Sequence, residues 1–531
     1  MKLKKFCIYT AAFCIALSAY ALENLIPETP QKNSMNTWCT WGSQSNVVGR
    51  YKDHIKRGKP VPDYAKDITK ISQRDGINEE TVFGENGWAK NWGDIRKDCY
   101  FILDDGWDVG YYERPAVNIS VFGSHILNET RFPSVKGMSP QERLKWLNDK
   151  LVANGWLGGA LWISAQKFGE NYGRNKISPE NQIEFWKERI AWSKYANIRY
   201  WKVDWGIHCL DVRFRKMLTK LAAKEFPELI IENAYPALPA NFINNIQFKD
   251  GKYFGDGKFA NTPRKELDKL DEILEFSTLF RTYDTYGNSV TLDRCVYELN
   301  FGYEEQLNLF LTCEDNPKIG AGLASFCGEM RAIDHRRARE FTAFIHWQRI
   351  APALAAKELP IKVSNERLSE FKKVKNLPDA FKKRTDQSLP PIEQSAPAVI
   401  VRGNMDLPEV KIAQKDALKP YVLATKHPNG TLCVSFVERD ENRNYQTDTF
   451  VNENCLNRKI GVFGQFNTLT FALPNNVKDI KVFVQNLTEK TPKEIKNFSI
   501  SNNKLTISFG DLGFEKLAKK YPAFVLFVEG K

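Results

Sequence analysis

From about Asn36 to Ala355 short apolar runs alternate with stretches whose apolar residues recur every three or four positions. The first pattern predicts strands covered on both faces and the second amphipathic helices, so their alternation predicts βα units on a parallel sheet. Tyr100-Phe101-Ile102-Leu103, Gly159-Ala160-Leu161-Trp162-Ile163, Arg199-Tyr200-Trp201-Lys202-Val203, Leu229-Ile230-Ile231 and Leu307-Asn308-Leu309-Phe310-Leu311 are runs of the first kind. Helix starts are signposted between them. Ser139-Pro140-Gln141-Glu142 is a capping box with Pro at the first helical position, and Leu144, Leu147 and Leu151 follow at helical spacing up to Gly155. Ser178-Pro179-Glu180 opens a second helix carrying Ile183, Trp186 and Ile190 on one face, and a third begins near Asp211 with Met217, Leu218 and Leu221 inward.

Candidate strands near Thr37, Phe101, Leu161, Trp201, Ile230, Phe280, Phe310 and Ala324 number eight. Roughly 320 residues for eight βα units fit a (β/α)8 barrel with loop insertions. A doubly wound open sheet is the competing arrangement, but no glycine-rich dinucleotide loop follows any of the strands. Residues 356–396 are rich in Lys, Pro and polar residues and read as a connection between a barrel spanning 22–355 and a terminal domain spanning 397–531. In that last part short alternating strands are punctuated by Pro428-Asn429-Gly430, Asn475-Asn476 and Ser501-Asn502-Asn503, which predicts a small antiparallel β-sandwich.

At the other end, a basic start, an apolar run from Phe6 to Leu17 and Ala19-Tyr20-Ala21 have the layout of a cleavable signal peptide over residues 1–21. The expectation is an exported protein, secreted or periplasmic, with no membrane anchor once the leader is removed. Loss of Lys2, Lys4 and Lys5 with that leader takes the formal charge from +12 to +9. The basic residues are scattered and no nucleic-acid module accompanies them, so a nucleic-acid partner is not expected. A content of 42% hydrophobic and 26% charged residues excludes a mostly disordered chain. Of ten cysteines, Cys7 and Cys14 lie in the leader. The other eight are widely spaced, with Cys433 and Cys455 the pair within one domain that is placed to bridge strands. No CxxC pair occurs among them, and neither a metal nor a cofactor is expected.

In a barrel, polar residues at the C-terminal strand ends converge on one face, so carboxylates that close apolar runs are the first candidates for chemistry. Leu103-Asp104-Asp105-Gly106-Trp107, Lys202-Val203-Asp204-Trp205-Gly206 and Phe280-Arg281-Thr282-Tyr283-Asp284 close the second, fourth and sixth runs, and Glu232 closes the fifth. Two opposed carboxylates suit cleavage of a glycosidic bond, one attacking the anomeric carbon or activating water and the other protonating the leaving oxygen. Lys202 lies two residues before Asp204 on the same strand and so on the same face, where its charge favours an ionised carboxylate. A metal-assisted hydrolase using Asp104, Asp204 and His208 is a further possibility.

These motifs together resemble the α-galactosidase and α-N-acetylgalactosaminidase clan, glycoside hydrolase family 27 and the related family 36. Met35-Asn36-Thr37-Trp38-Cys39-Thr40-Trp41 is similar to the clan's first strand, and the stretch from Gly322 to Pro352, with Glu329, Arg331, Trp347 and Ala351-Pro352, to its eighth strand and following helix. The resemblance implies hydrolysis of a terminal α-linked galactose or closely related sugar in an oligosaccharide or glycan, with retention through a covalent glycosyl-aspartate. It assigns Asp204 as nucleophile and Asp284 as acid/base, Asp104, Asp105, Lys202 and Arg281 to sugar hydroxyls, and Trp41 to the sugar's apolar face. Glu232 is a further sugar-binding candidate and, with Asp293, the alternative acid. The chain departs from the clan in having Gly106 and Gly206 where Cys is commoner, and one residue fewer between Arg281 and Asp284. Glu232-Asn233-Ala234-Tyr235-Pro236 matches neither familiar sugar-specificity signature, which leaves α-N-acetylgalactosaminidase and β-L-arabinopyranosidase activity as alternatives beside a catalytically silent carbohydrate-binding protein.

Overall fold

A computed structural model describes residues 23–173, 175–235, 247–249, 252–254, 262–282, 288–335, 337–358, 409–413, 420–438, 447–496, 498–509 and 523–531. The expected leader, residues 1–21, and most of the expected connection, residues 359–396, lie outside them. Eight parallel strands close a barrel: β1 (Asn36–Cys39), β2 (Cys99–Leu103), β3 (Gly158–Ile163), β4 (Tyr200–Val203), β5 (Ile230–Ala234), β6 (Leu279–Thr282), β7 (Phe310–Glu314) and β8 (Phe326–Glu329). The order is sequential, and β8 returns to pair with β1 through Thr37 opposite Gly328. All eight expected strands are present. The last begins two residues after Ala324, which instead takes a φ of 50° in the turn before it.

Helices separate the strands: α1 (Trp41–Lys56), α2 (Pro140–Ala153), α3 (Ile183–Ala196), α4 (Val212–Glu225), α5 (Thr262–Phe276), α6 (Asn288–Glu304), α7 (Pro317–Gly322) and α8 (Ala338–Ile350). Ser139 and Glu142 form the capping box of α2, and the Asp211 side chain caps α4 by accepting from the Arg213 amide. Between barrel and helices lies a core rich in tryptophan, in which Trp38 packs against Phe101 and Trp156 with ring centroids 5.1 and 6.1 Å away.

The C-terminal part forms two sheets, of five and six strands, within Glu409–Glu529. Neighbouring strands run antiparallel as expected, except that each sheet holds one parallel pair: Leu432–Val437 with Lys459–Phe463, and Asp448–Asn454 with Thr468–Ala472. The expected turns are in place, with Gly430, Asn476, Asn502 and Asn503 all at positive φ. Cys433 and Cys455 do not bridge. Cys433 packs into the cluster shared with the barrel, Cys455 into the sandwich interior, and both are free thiols.

Candidate active site

The strand ends bring Asp104, Asp105, Lys202 and Asp204 together over the barrel axis, beneath the helix start at Trp41. Lys202 stands between two carboxylates, its Nζ 3.1 Å from Asp104 Oδ2 and 3.1 Å from Asp204 Oδ2. Burial by itself would lower the lysine's pKa, but the charges of Asp104 and Asp204 outweigh it and hold the ammonium well above its ordinary value. Asp204 Oδ2 also accepts from the Trp162 indole at 2.9 Å. Its other oxygen, Oδ1, is buried and accepts from no group. One oxygen is therefore anchored and the other is left without a partner.

Asp104 is held on all sides. Oδ1 accepts from the Asp105 amide, Oδ2 from the Cys39 thiol at 2.8 Å, and the Asp104 amide donates to the Thr40 hydroxyl. Asp105 Oδ2 pairs with Arg74 Nη2 at 2.5 Å and accepts from the Trp205 indole at 3.0 Å. Burial pushes this carboxyl up to about 7 against the lowering effect of Arg74. The Arg74 guanidinium is itself ringed by Trp41, Phe122 and Trp205, with centroids 5.9, 5.5 and 5.4 Å away.

The two glycines that follow these aspartates have a local cause. Gly106 has φ +114° and Gly206 φ +144°, and a Cβ at either would stand 2.7 Å from the Arg74 carbonyl or 2.6 Å from the Ala165 amide. No L side chain fits there, so the departure from cysteine follows from how closely these loops pack.

Arg281 and Glu232 do not join the group as expected. β5 runs on to Ala234, which places Glu232 mid-strand, and Arg281 sits likewise one residue short of the end of β6. Both are wholly buried and meet between the neighbouring strands β5 and β6, with Arg281 Nη2 3.0 Å from Glu232 Oε2 and Nη1 3.1 Å from Glu314 Oε2. Burial would lower the guanidinium's pKa, but Glu232 and Glu314 raise it well above the usual value. In this structure the two form a buried charge layer with Glu314. Asp284 lies outside the described residues, and Asp293 falls within α6.

His208 is also placed elsewhere. Its Nε2 lies 3.0 Å from Glu170 Oε1 and from Gln182 Nε2, and its ring stacks on Phe214, so it braces the start of α4 instead of joining Asp104 and Asp204 in a metal site. Among the described residues no cluster of three His, Cys, Asp or Glu side chains is arranged to hold a metal. Trp107 and Trp201 are core residues bonded to Trp162 carbonyl and Ser193 hydroxyl, whereas Trp162 and Trp205 line the site.

No family model and no curated protein matches the chain. Solved structures similar to it include a family 27 β-L-arabinopyranosidase from Geobacillus stearothermophilus, 10% identical over 85% of this chain and 92% of that one, with a TM-score of 0.41. An α-galactosidase from Saccharomyces cerevisiae is 9% identical over 94% and 95%, with a TM-score of 0.37. A structure described as a putative α-N-acetylgalactosaminidase from Bacillus halodurans is 11% identical over 82% and 94%, with a TM-score of 0.38.

Several residues of the site escape a reading of the sequence. Arg74 carries no motif, and Cys39 lies in the first-strand motif without being singled out for the site. Arg215 does leave a trace, as a charge on the inward stripe of α4 beside Phe214 and Leu218. Fully buried, it donates to the carbonyls of Val203, Asp204 and Ala234 and so fixes the backbone that presents Asp204.

Proposed function

We propose that this chain is an exported retaining glycoside hydrolase of the α-galactosidase clan that removes a terminal α-linked galactose or a closely related sugar. Asp204 is the nucleophile and Asp284 the acid/base. The observation that carries the reading is the asymmetric setting of Asp204. Oδ2 is fixed by an ammonium and an indole, and Oδ1 is buried without a partner at the open end of the barrel.

In this mechanism Oδ1 attacks the anomeric carbon while the acid protonates the departing glycosidic oxygen, which leaves a glycosyl-aspartate. The same acid group, now a base, takes a proton from water, the water displaces Asp204, and two inversions give net retention. Lys202 stabilises the aspartate that departs in the second step. Asp104 and Asp105, with Arg74 and Trp205 behind them, form the polar wall against which the sugar's hydroxyls are matched, and Trp41 offers an apolar face.

The test is Asp204→Ala in the full chain. Turnover of an aryl α-galactoside is expected to fall by at least about a thousandfold, as for loss of a nucleophile. NMR of the wild-type product should show the α-anomer first. Undiminished turnover in the variant, or first release of the β-anomer, would overturn the assignment.

A further inference from the structure

We infer that Arg131, which lies behind the pocket, is a positioning residue of the site: it clasps the loop that carries Arg74 and so sets the Arg74–Asp105 ion pair against which the sugar is bound. The inference rests on the glycosidase reading for its consequence, sugar affinity, while the geometry of the clasp stands apart from that reading.

Arg131 falls between β2 and α2 and is wholly buried. A guanidinium presents five N–H donors in a rigid fork, and here every one of them is used. Nε donates to the Val109 carbonyl at 2.7 Å, and Nη1 to the carbonyls of Arg74 and Ile77 at 2.9 and 3.1 Å. Nη2 donates to the Gly110 carbonyl at 2.9 Å and to Asp75 Oδ1 at 3.0 Å. The Tyr111 ring covers the fork, its centroid 4.3 Å from the guanidinium carbon. The acceptors belong to two loops, that of Arg74 and the one that follows Asp105. One side chain therefore ties both loops together.

Those loops carry the two halves of an ion pair. They touch at Gly106, where a Cβ would stand 2.7 Å from the Arg74 carbonyl that Arg131 holds. From this fixed point the Arg74 side chain reaches Asp105 Oδ2 at 2.5 Å. Asp105 is faced by Arg74 and the Trp205 indole from neighbouring loops and by Asp104 and Asp108 from its own, with Lys202 beyond Asp104 and with Asp75 and Arg131 behind Arg74. Arg74 favours the carboxylate, while burial, Asp104 and Asp108 oppose it. These effects leave the group at about 7, so a small displacement of Arg74 changes the charge of the sugar-binding wall at neutral pH.

Trp205 reports that charge, because its indole donates to the same Asp105 oxygen. The experiment follows tryptophan fluorescence of the full chain from about pH 5 to pH 9, each protein being read as its difference from the same protein carrying Trp205→Phe. The wild-type midpoint is expected near 7. It should rise by about one pH unit in Arg131→Lys, which keeps the positive charge but has too few donors for the clasp. Arg74→Gln should raise it at least as far, and adding Arg131→Lys to Arg74→Gln should raise it no further, since both act through one ion pair. In Arg131→Lys, calorimetric affinity for galactose should fall about fivefold at pH 7, as the ionised fraction of Asp105 drops from about one half to about one eleventh, and should nearly recover at pH 9. A midpoint that stays in place, an additive rise in the double variant, or an equal loss of affinity at both pH values would overturn the inference. Should Arg131→Lys fail to fold, Asp75→Asn weakens the same clasp at one bond and should move the midpoint upward; a midpoint left unmoved there overturns the inference equally. Midpoints that move as expected with no galactose bound at any pH would uphold the clasp and overturn the galactosidase reading.

Discussion

At the residue scale, the proposed role of Asp204 as nucleophile draws on two donors to one of its oxygens, and each can be removed separately. Trp162→Phe keeps an aromatic ring, deletes the bond to Oδ2 and leaves a small cavity in the core. A charge-assisted hydrogen bond is worth about 1.5–3 kcal/mol, so kcat should fall about ten- to a hundredfold, more than the cavity's modest loss of stability accounts for. An equal loss in both would mean that Trp162 is merely a core residue. Glu314 offers a test by pH. Burial raises its carboxyl to about 7 against the lowering effects of Arg281 and Lys202. A carboxyl raised on folding binds more protons in the native state than in the unfolded chain. Its contribution is full below the unfolded value near 4.5 and is lost as pH climbs toward 7. Glu314→Gln mimics the protonated form and escapes that loss, so its melting temperature relative to wild type should rise between pH 5 and pH 8. A difference that stays flat across this range would place the Glu314 titration elsewhere.

At the scale of elements, the sequence discloses which strands exist better than how far each extends. The eight barrel strands are visible because each is buried on both faces and reads as an apolar run. The end of β5 is not, because Glu232 interrupts the apolar pattern inside the strand and looks like its end. Alternation assigns a side chain to the inner face but not to a depth along the axis, and one layer of depth separates a charge pair in the core from a ligand for sugar. Lys202 and Asp204 were legible as a pair because they sit two apart on one strand. Arg74, which pairs with Asp105 from a distant loop, had no such spacing to betray it. The buried layer makes its own prediction. Arg281→Met strands Glu232 and Glu314 without their cation and should destabilise the protein by about 3–5 kcal/mol in urea unfolding, the cost of breaking one side of a buried pair. The triple change of Arg281, Glu232 and Glu314 to apolar residues should recover most of that loss. A triple variant as unstable as the single one would show that the layer acts through packing instead of charge.

At the scale of the molecule, the barrel and the sandwich share a continuous apolar core. The cluster around the barrel's tryptophans runs on into Cys433, Phe463, Leu487, Ala523 and Val525 of the sandwich. Polar bonds cross the same boundary, with Lys318 of α7 2.6 Å from Glu438 and the Ser435 hydroxyl donating to the Lys318 carbonyl at 2.7 Å. At the centre, Trp347 of α8 lies so close to Gly461 that a Cβ there would stand 2.8 Å from the indole. The side of this joint facing α8 thus requires a residue with no side chain. Unfolding of the wild type should follow a single transition, with calorimetric and van't Hoff enthalpies in agreement. Gly461→Val drives a wedge into the joint and should cost about 1–3 kcal/mol, while Trp347→Ala, which empties it, should cost about 3–5 kcal/mol. Two separate transitions in the wild type would show that the sandwich is an appendage that folds apart from the barrel.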